Sequence, residues 1–186
     1  PEWLTGLDLL IVDLQDVGTR CYTYLSTTKL VLEAAASAHI PVLLLDRPNP
    51  LASWGPAGPG LSKQYTSFVG AAPVPFLHGN TLGGIAQQLN QSIGAQLNVV
   101  ACEGNHSNLC SLCAAPSPNL ATIDHIFTYP LTVFLEGTNY SEGRGTQYPF
   151  LHIGAPWVNA DTLAAHLNNK KLAGVYFEPV HFTPQR

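Results

Sequence analysis

The chain has 186 residues, a net charge of −4 and only 11% charged residues, well under the roughly 25% usual for a globular protein. No basic cluster occurs, which argues against a nucleic-acid partner, and no apolar run approaches the roughly 20 residues of a membrane span. The polar surface must come largely from Asn, Gln, Ser and Thr, a composition suited to neutral, hydroxyl-rich ligands. Methionine is absent, the chain opens Pro1-Glu2-Trp3 and no signal-peptide pattern is visible, so a processed or truncated chain is expected.

Leu7 to Leu14 is a short apolar run of the kind that forms a buried strand. A helix is expected from about Thr23 to Ala38, with Leu25, Leu32 and Ala36 as its apolar stripe and Pro41 beyond its end. Val42 to Leu45 is the next buried strand, closed by Asp46-Arg47-Pro48-Asn49-Pro50. Together these make a β-α-β unit, and ligands of open α/β sheets bind at the carboxyl ends of such strands. Residues 51–64 read as an extended loop and Tyr65 to Phe76 as a strand. Thr81 is the N-cap of a helix with Leu82, Ile85 and Leu89 inward, which Gly94 closes. Leu97 to Ala101 is a third strand.

Residues 103–118 read as irregular, Ala121 to Phe127 as a short helix, and Leu131 to Leu135 as a strand leading into a glycine-rich loop. Tyr148 to Trp157 is loop. Asn159 caps a helix reaching Asn169, with Leu163 and Leu167 buried, and Val175 to Phe182 reads as a last strand. The strand–helix alternation in residues 1–130 gives an α/β domain with a parallel sheet. Residues 131–186 read as the beginning of a smaller α+β part.

The loop Glu136-Gly-Thr-Asn-Tyr-Ser-Glu142-Gly-Arg144-Gly145 concentrates the chemistry. Glycoside hydrolysis needs a carboxylic acid to protonate the leaving oxygen and a second carboxylate as base or nucleophile, and Glu136 and Glu142 supply both groups. The alternative is structural: Glu136 pairs with Arg144, and Glu142 accepts hydrogen bonds within the loop. Gly137, Gly143 and Gly145 are read as the points where this loop turns sharply.

Other candidates flank the strand ends. Asp13, Asp16 and Arg20 either bind ligand at the sheet edge or form a cap and an ion pair. Tyr22 and Tyr24 either stack on a sugar or pack in the core. Asp46 and Asn49 suit sugar hydroxyls, and Arg47 suits a substrate carboxylate, unless Asp46 and Arg47 simply shape the loop. His78, before a helix N-terminus, is a candidate acid or base, with a structural histidine as the alternative. Cys110-Ser-Leu-Cys113, with Cys102 and His106 close by, suits zinc, a disulfide or free thiols. The dinucleotide, P-loop, serine-hydrolase and zinc-protease motifs are all missing from the sequence, which disfavours a nucleotide-dependent enzyme.

Several motifs occur in order: Asp13-Leu-Gln-Asp-Val-Gly-Thr-Arg20, Tyr22-Thr-Tyr24, Leu45-Asp-Arg-Pro-Asn-Pro50, Ser67-Phe-Val-Gly70, Pro116-Ser-Pro-Asn119, Glu136-Gly-Thr-Asn139, Ser141-Glu-Gly-Arg-Gly-Thr146 and Gly154-Ala-Pro-Trp157. Together they resemble the NamZ-type exo-β-N-acetylmuramidases nearly end to end. The resemblance implies a Rossmann-like domain, a smaller auxiliary domain and an active site in the cleft between them. It implies an exported hydrolase that needs no cofactor and removes N-acetylmuramic acid from the non-reducing ends of peptidoglycan fragments. Under it, Glu136, Glu142 and His78 are candidate catalytic residues. Asp16, Arg20, Tyr22, Asp46, Arg47, Asn49, Asn119, Asn139 and Arg144 are candidate substrate contacts.

Two departures accompany the resemblance. His78-Gly-Asn-Thr81 stands where the family has His-Gly-Met-Thr, and residues 103–115 replace a longer, tryptophan-bearing stretch. The family also carries an upstream Glu-His segment, expected before residue 1. A module that binds muropeptides without cleaving them is the rival expectation.

Overall fold

Val42-Leu-Leu-Leu45 is too short for a helix and apolar throughout, so it is stable only when covered on both faces. In the computed structural model, which describes residues 2–103 and 115–185, it is β2 (Val42–Leu45), the middle of a three-stranded parallel sheet in the order β1-β2-β3. β1 is Leu10–Asp13 and β3 is Leu97–Val100. The register aligns Asp13 with Leu45 and Leu45 with Val100, so Asp13 lies level with the residue preceding Asp46.

Two helices complete this α/β layer. α1 (Tyr24–Ala38) ends at His39, which takes the left-handed conformation, and α2 (Leu82–Ile93) ends at Gly94 in the same region. Thr81 caps α2 as expected, its side chain accepting the Gly84 N–H. One core cluster joins Val12, Leu32, Ala35, Val42, Leu44 and Ala86. A second joins Leu25, Ala72, Val74, Leu82 and Ile85. Each large aliphatic side chain so buried contributes about 1.5–3 kcal/mol.

Two expectations for this part need correction. β1 is not covered on both faces: Val12 is buried but Ile11 is 59% exposed. Residues 65–76 form no strand. Lys63–Tyr65 is a 3-10 turn, Ser67 and Gly70 make an isolated bridge, and Pro73 and Pro75 lack the amide hydrogens a ladder needs.

The chain packs as two compact units, Pro1–Pro116 and Ser117–Arg186. Residues 130 and 131, where the sequence reading set its division, both fall inside α3 (Ile123–Thr132). The strand expected at Leu131 to Leu135 does not form. α3 runs through Pro130 and passes directly into a 3-10 helix, Val133–Gly137. Ile126, Tyr129, Pro130 and Val133 are the buried apolar residues of this stretch. Their spacing is i, i+3, i+4, i+7, a helical stripe that overrides the β preference of the local residues.

α4 (Ala160–Asn168) is capped by Asn159, whose side chain accepts the Thr162 N–H. Its buried residue is Ala164, whereas Leu163 and Leu167 are only half-buried. Residues 175–182, expected as a last strand, form none. Asn168 holds Phe177 through both its amide atoms, at 2.8 and 2.9 Å. Among the described residues no helix is long and apolar enough to cross a membrane.

Candidate active site

The strand ends of the first unit carry a network of polar side chains. Asp13, the last residue of β1, takes a two-pronged contact from Arg47: Nε to Oδ1 at 2.6 Å and Nη2 to Oδ2 at 2.9 Å. The Arg47 hydrogen bonds hold the Asp13 carboxyl below its usual range. Asp46 serves the start of α2, accepting from Thr81 Oγ1 at 2.6 Å and from the Gly83 N–H at 2.8 Å.

Asn49 is buried, donates to the Asn80 carbonyl and accepts the Leu51 N–H, both at 2.8 Å. Gly18, at φ +78°, presses against it; a Cβ there would lie 2.2 Å from Asn49 Oδ1. This glycine is therefore required by both backbone and space.

Asp16 and His78 form a buried pair with His78 Nε2 2.9 Å from Asp16 Oδ2. The same oxygen accepts the Gly18 N–H at 2.7 Å. The Asn80 N–H points at His78 Nδ1, 3.3 Å away, which assigns the hydrogen to Nε2 and makes it the donor to Asp16. The His78 side chain is 0% exposed. Its ring is enclosed and engaged on both nitrogens, so it faces no ligand in this arrangement. Asp16 Oδ1 is buried and has no hydrogen-bond partner among the described residues.

Arg20 and Tyr22 point inward as well. Arg20 Nη1 donates to the Pro59 and Val74 carbonyls at 2.8 and 2.7 Å, with the guanidinium over the Phe76 ring. Burial lowers its pKa. Tyr22 donates to the Pro116 carbonyl at 2.7 Å and meets Tyr24 edge-on at 4.8 Å. Burial, reinforced by Tyr24, pushes its phenol above the ordinary range.

In the second unit the glycine-rich loop assembles its charges around Arg144. Arg144 Nη2 donates to Glu136 Oε1, and Arg144 Nε lies 3.6 Å from Glu142 Oε1. Burial raises the Glu136 carboxyl; Arg144 pulls the other way and Glu142 adds a smaller push upward. Glu142 is itself buried.

Gly143 and Gly145, at φ +86° and +77°, hold Arg144 between them, and added Cβ atoms would lie 2.5 Å from the Tyr148 carbonyl oxygen and 2.0 Å from that of Gln185. Gly137 does not fit the expectation of a sharp turn: it lacks a positive φ, and no atom lies near where a Cβ would stand.

Phe150 underlies this loop and carried no sequence signal. Its ring is 1% exposed and receives the Arg144 guanidinium at 5.2 Å. Its N–H donates to the Glu142 carbonyl at 2.5 Å, and its own carbonyl accepts from Thr132 Oγ1 at 2.9 Å. Its φ of +63° is rare for a side chain of this size. Asn139 is exposed on the same loop, while Asn119 is half-buried in the turn before α3. Among the described residues no three His, Cys, Asp or Glu side chains gather as a metal site. Cys102 is exposed; His106, Cys110 and Cys113 lie outside the described residues.

Comparison with known proteins agrees with both halves of this architecture. Residues 1–124 match the family model described as exo-beta-N-acetylmuramidase NamZ, N-terminal. Residues 127–186 match its C-terminal counterpart. The chain is 44% identical over 191 residues to the peptidoglycan beta-N-acetylmuramidase NamZ of Bacillus subtilis (strain 168), covering 99% of this chain and 46% of that protein.

Crystal structures of two DUF1343 family proteins from Bacteroides fragilis NCTC 9343 are similar. One has a TM-score of 0.89 at 34% identity, over 98% of this chain and 50% of the other. The second has a TM-score of 0.77 at 39% identity, over 83% and 46%. The chain thus spans about half the length of the relatives it matches. With both family models matched in order along nearly every residue, the chain belongs to the NamZ exo-β-N-acetylmuramidase family.

Proposed function

We propose that this chain supplies part of the catalytic apparatus of a glycosidase that releases N-acetylmuramic acid from the non-reducing ends of peptidoglycan fragments. The observation that carries this reading is the arrangement of Glu136 and Glu142 on one arginine in unlike environments. Glycoside hydrolysis divides acid from base or nucleophile work between two carboxyl groups. Burial raises Glu136, which suits it to protonate a leaving oxygen. Glu142, buried and beside Arg144, is suited to act as the carboxylate that meets water or the sugar.

Arg144 is about half exposed and is the better candidate to meet the lactyl carboxylate of a muramyl group; Arg47 is already bound at two points to Asp13. In the first unit, Asp16 and the loop carrying Arg47 are proposed to meet sugar hydroxyls. Arg20, Tyr22, Asp46, Asn49 and His78 act by holding those loops, since their polar atoms are engaged. His78 is then a positioning residue acting through Asp16. Asn119 and Asn139 are proposed to touch substrate from the second unit. A cell-wall substrate also implies an exported protein.

The test is turnover of a chromogenic N-acetylmuramide by Glu136→Gln and Glu142→Gln variants, made in this chain and at the aligned positions of the B. subtilis relative. Loss of a general acid or base costs roughly 10²–10⁴-fold in rate. Unchanged turnover in both variants of the active relative would rule out this assignment. Binding of muropeptides with no product release by the unaltered proteins would favour a non-catalytic binding module.

A further inference from the structure

Arg144 stands between Gly143 and Gly145, both at positive φ. Glycine on either side leaves this stretch of backbone little stiffness of its own, so a charged side chain placed there needs support from elsewhere. Part of that support comes from Phe182-Thr-Pro-Gln185, a segment far along the chain that reaches residues 141–145 at three successive points.

At the first point, Ser141 and Gly154 exchange two backbone hydrogen bonds, at 2.7 and 3.0 Å. Phe182 lies against Gly154 so closely that a Cβ there would stand 3.2 Å from the ring edge. At the second, Gly143 packs on Tyr148 and His152: a Cβ would stand 2.5 Å from the Tyr148 carbonyl oxygen and 3.3 Å from His152 Cβ. The His152 ring meets Tyr148 at 4.7 Å and Phe182 at 5.3 Å. At the third, the Gln185 N–H donates to the Gly145 carbonyl at 2.8 Å, and Gln185 backbone occupies the space a Gly145 Cβ would need. Pro184 fixes its own φ and biases Thr183 toward an extended backbone, so the ring of Phe182 and the amide of Gln185 move as one stiff piece. None of the three grips uses a charge. Each restrains backbone, and the backbone at residue 144 decides where its guanidinium can reach.

We propose that Phe182 and Gln185 are positioning residues for the glycosidase reaction: acting through residues 141–145, they set the place of Arg144 and thereby its hold on Glu136 and Glu142. The inference rests on the glycosidase reading of those two carboxylates. It makes the segment 182–185 part of the catalytic apparatus although it carries no acid, base or charge of its own.

The test is titration of the Glu136 carboxyl carbon by nuclear magnetic resonance in this chain, which needs no turnover. Arg144 favours the ionised form of Glu136, while burial and Glu142 oppose it. Loosening Arg144 should therefore move the Glu136 midpoint to higher pH. This is expected in Phe182→Ala, which removes the ring, and in Gln185→Pro, which removes only the amide hydrogen given to Gly145. Thr183→Ala, at an exposed side chain between them, should keep the wild-type midpoint. His152 is followed through its ring carbons in the same titration, so that its protonation is told apart from that of Glu136. Circular dichroism checks that each variant is folded; because Gln185 is exposed, Gln185→Pro carries the test if Phe182→Ala does not fold. A Glu136 midpoint unmoved in the folded variants, or moved equally by Thr183→Ala, overturns the positioning role. Turnover in the active relative separates the two ideas. An unmoved midpoint alongside lost turnover in Glu136→Gln and Glu142→Gln overturns the positioning role alone. A midpoint that moves as expected while both of those variants keep full turnover leaves the grip on Arg144 standing and overturns its link to catalysis.

Discussion

Arg144 is the residue around which the second unit's loop gathers its charges, and it does not hold its position unaided. Two glutamates attract it from one side, and the Phe150 ring supports it from the other. Phe150 in turn sits in the left-handed region, a conformation that persists only where its surroundings enforce it. Here the enforcement comes from its hydrogen bonds to Glu142 and Thr132 and its edge-on contact with Tyr129. A cation over an aromatic face contributes about 0.5–1 kcal/mol at a partly exposed site. Phe150→Leu keeps an apolar side chain but removes the ring. Arg144 should then restrain Glu136 less, and the Glu136 carboxyl should rise further. If Glu136 is the general acid, the alkaline limb of kcat/KM moves to higher pH while kcat falls. Phe150→Tyr keeps the ring face and should keep the limb in place. A pH profile of the aligned variants in the active relative checks this: an unmoved limb in Phe150→Leu would confine Phe150 to packing.

At the scale of elements, the parts legible in the sequence are those set by neighbours in the chain. β2 needed only its unbroken apolar run, and α2 and α4 needed only Thr81, Gly94 and Asn159 as punctuation. The rest depended on distant contacts. Leu131 to Leu135 has β-favouring residues, but Tyr129 and Val133 are buried on the α3 side and draw the segment into helical turns. Residues 175–182 form no strand, and at Phe177 it is Asn168 that supplies the two backbone hydrogen bonds a ladder would otherwise provide. The same division holds for the candidate site. Glu136, Glu142 and Arg144 lie within one loop and could be read together. The support from Phe150 and the contact between Gly145 and Gln185 arise from folding and leave no local pattern. Asp46 is the instructive case: its type suggested a sugar contact, but its carboxylate binds the start of α2. Thr81→Ala removes both the cap and the hydroxyl that Asp46 accepts from. A cap of this kind is worth about 1–2 kcal/mol, and urea unfolding should show a loss of at least that size. A loss below about 0.5 kcal/mol would mean that Asp46 alone sustains the helix start.

For the whole molecule, stability below neutral pH should depend on three groups whose shifts have stated causes. Burial lowers His152 from its ordinary 6.5. Its ring lies between Tyr148 and Phe182, at 4.7 and 5.3 Å, and its Nδ1 is buried with no partner among the described residues. The unfolded chain therefore takes up this proton first. The His152 contribution is fully present above pH 6.5 and is lost as pH falls toward its folded value. Asp13 is lowered from 3.8 by Arg47, so its contribution is present above that value and lost as pH falls through the folded one; solvent exposure keeps it small. Glu136 opposes both. Its folded pKa lies above 4.5, so the folded state binds that proton more tightly and gains relative stability as pH falls through this window. The urea midpoint should therefore decline first below pH 6.5, flatten where Glu136 takes up its proton, and decline again below pH 3.8. His152→Gln removes the titrating ring and should erase the first decline while leaving the second. A first decline of unchanged size in that variant would assign it to another histidine and leave the His152 ring stack with no part in acid sensitivity.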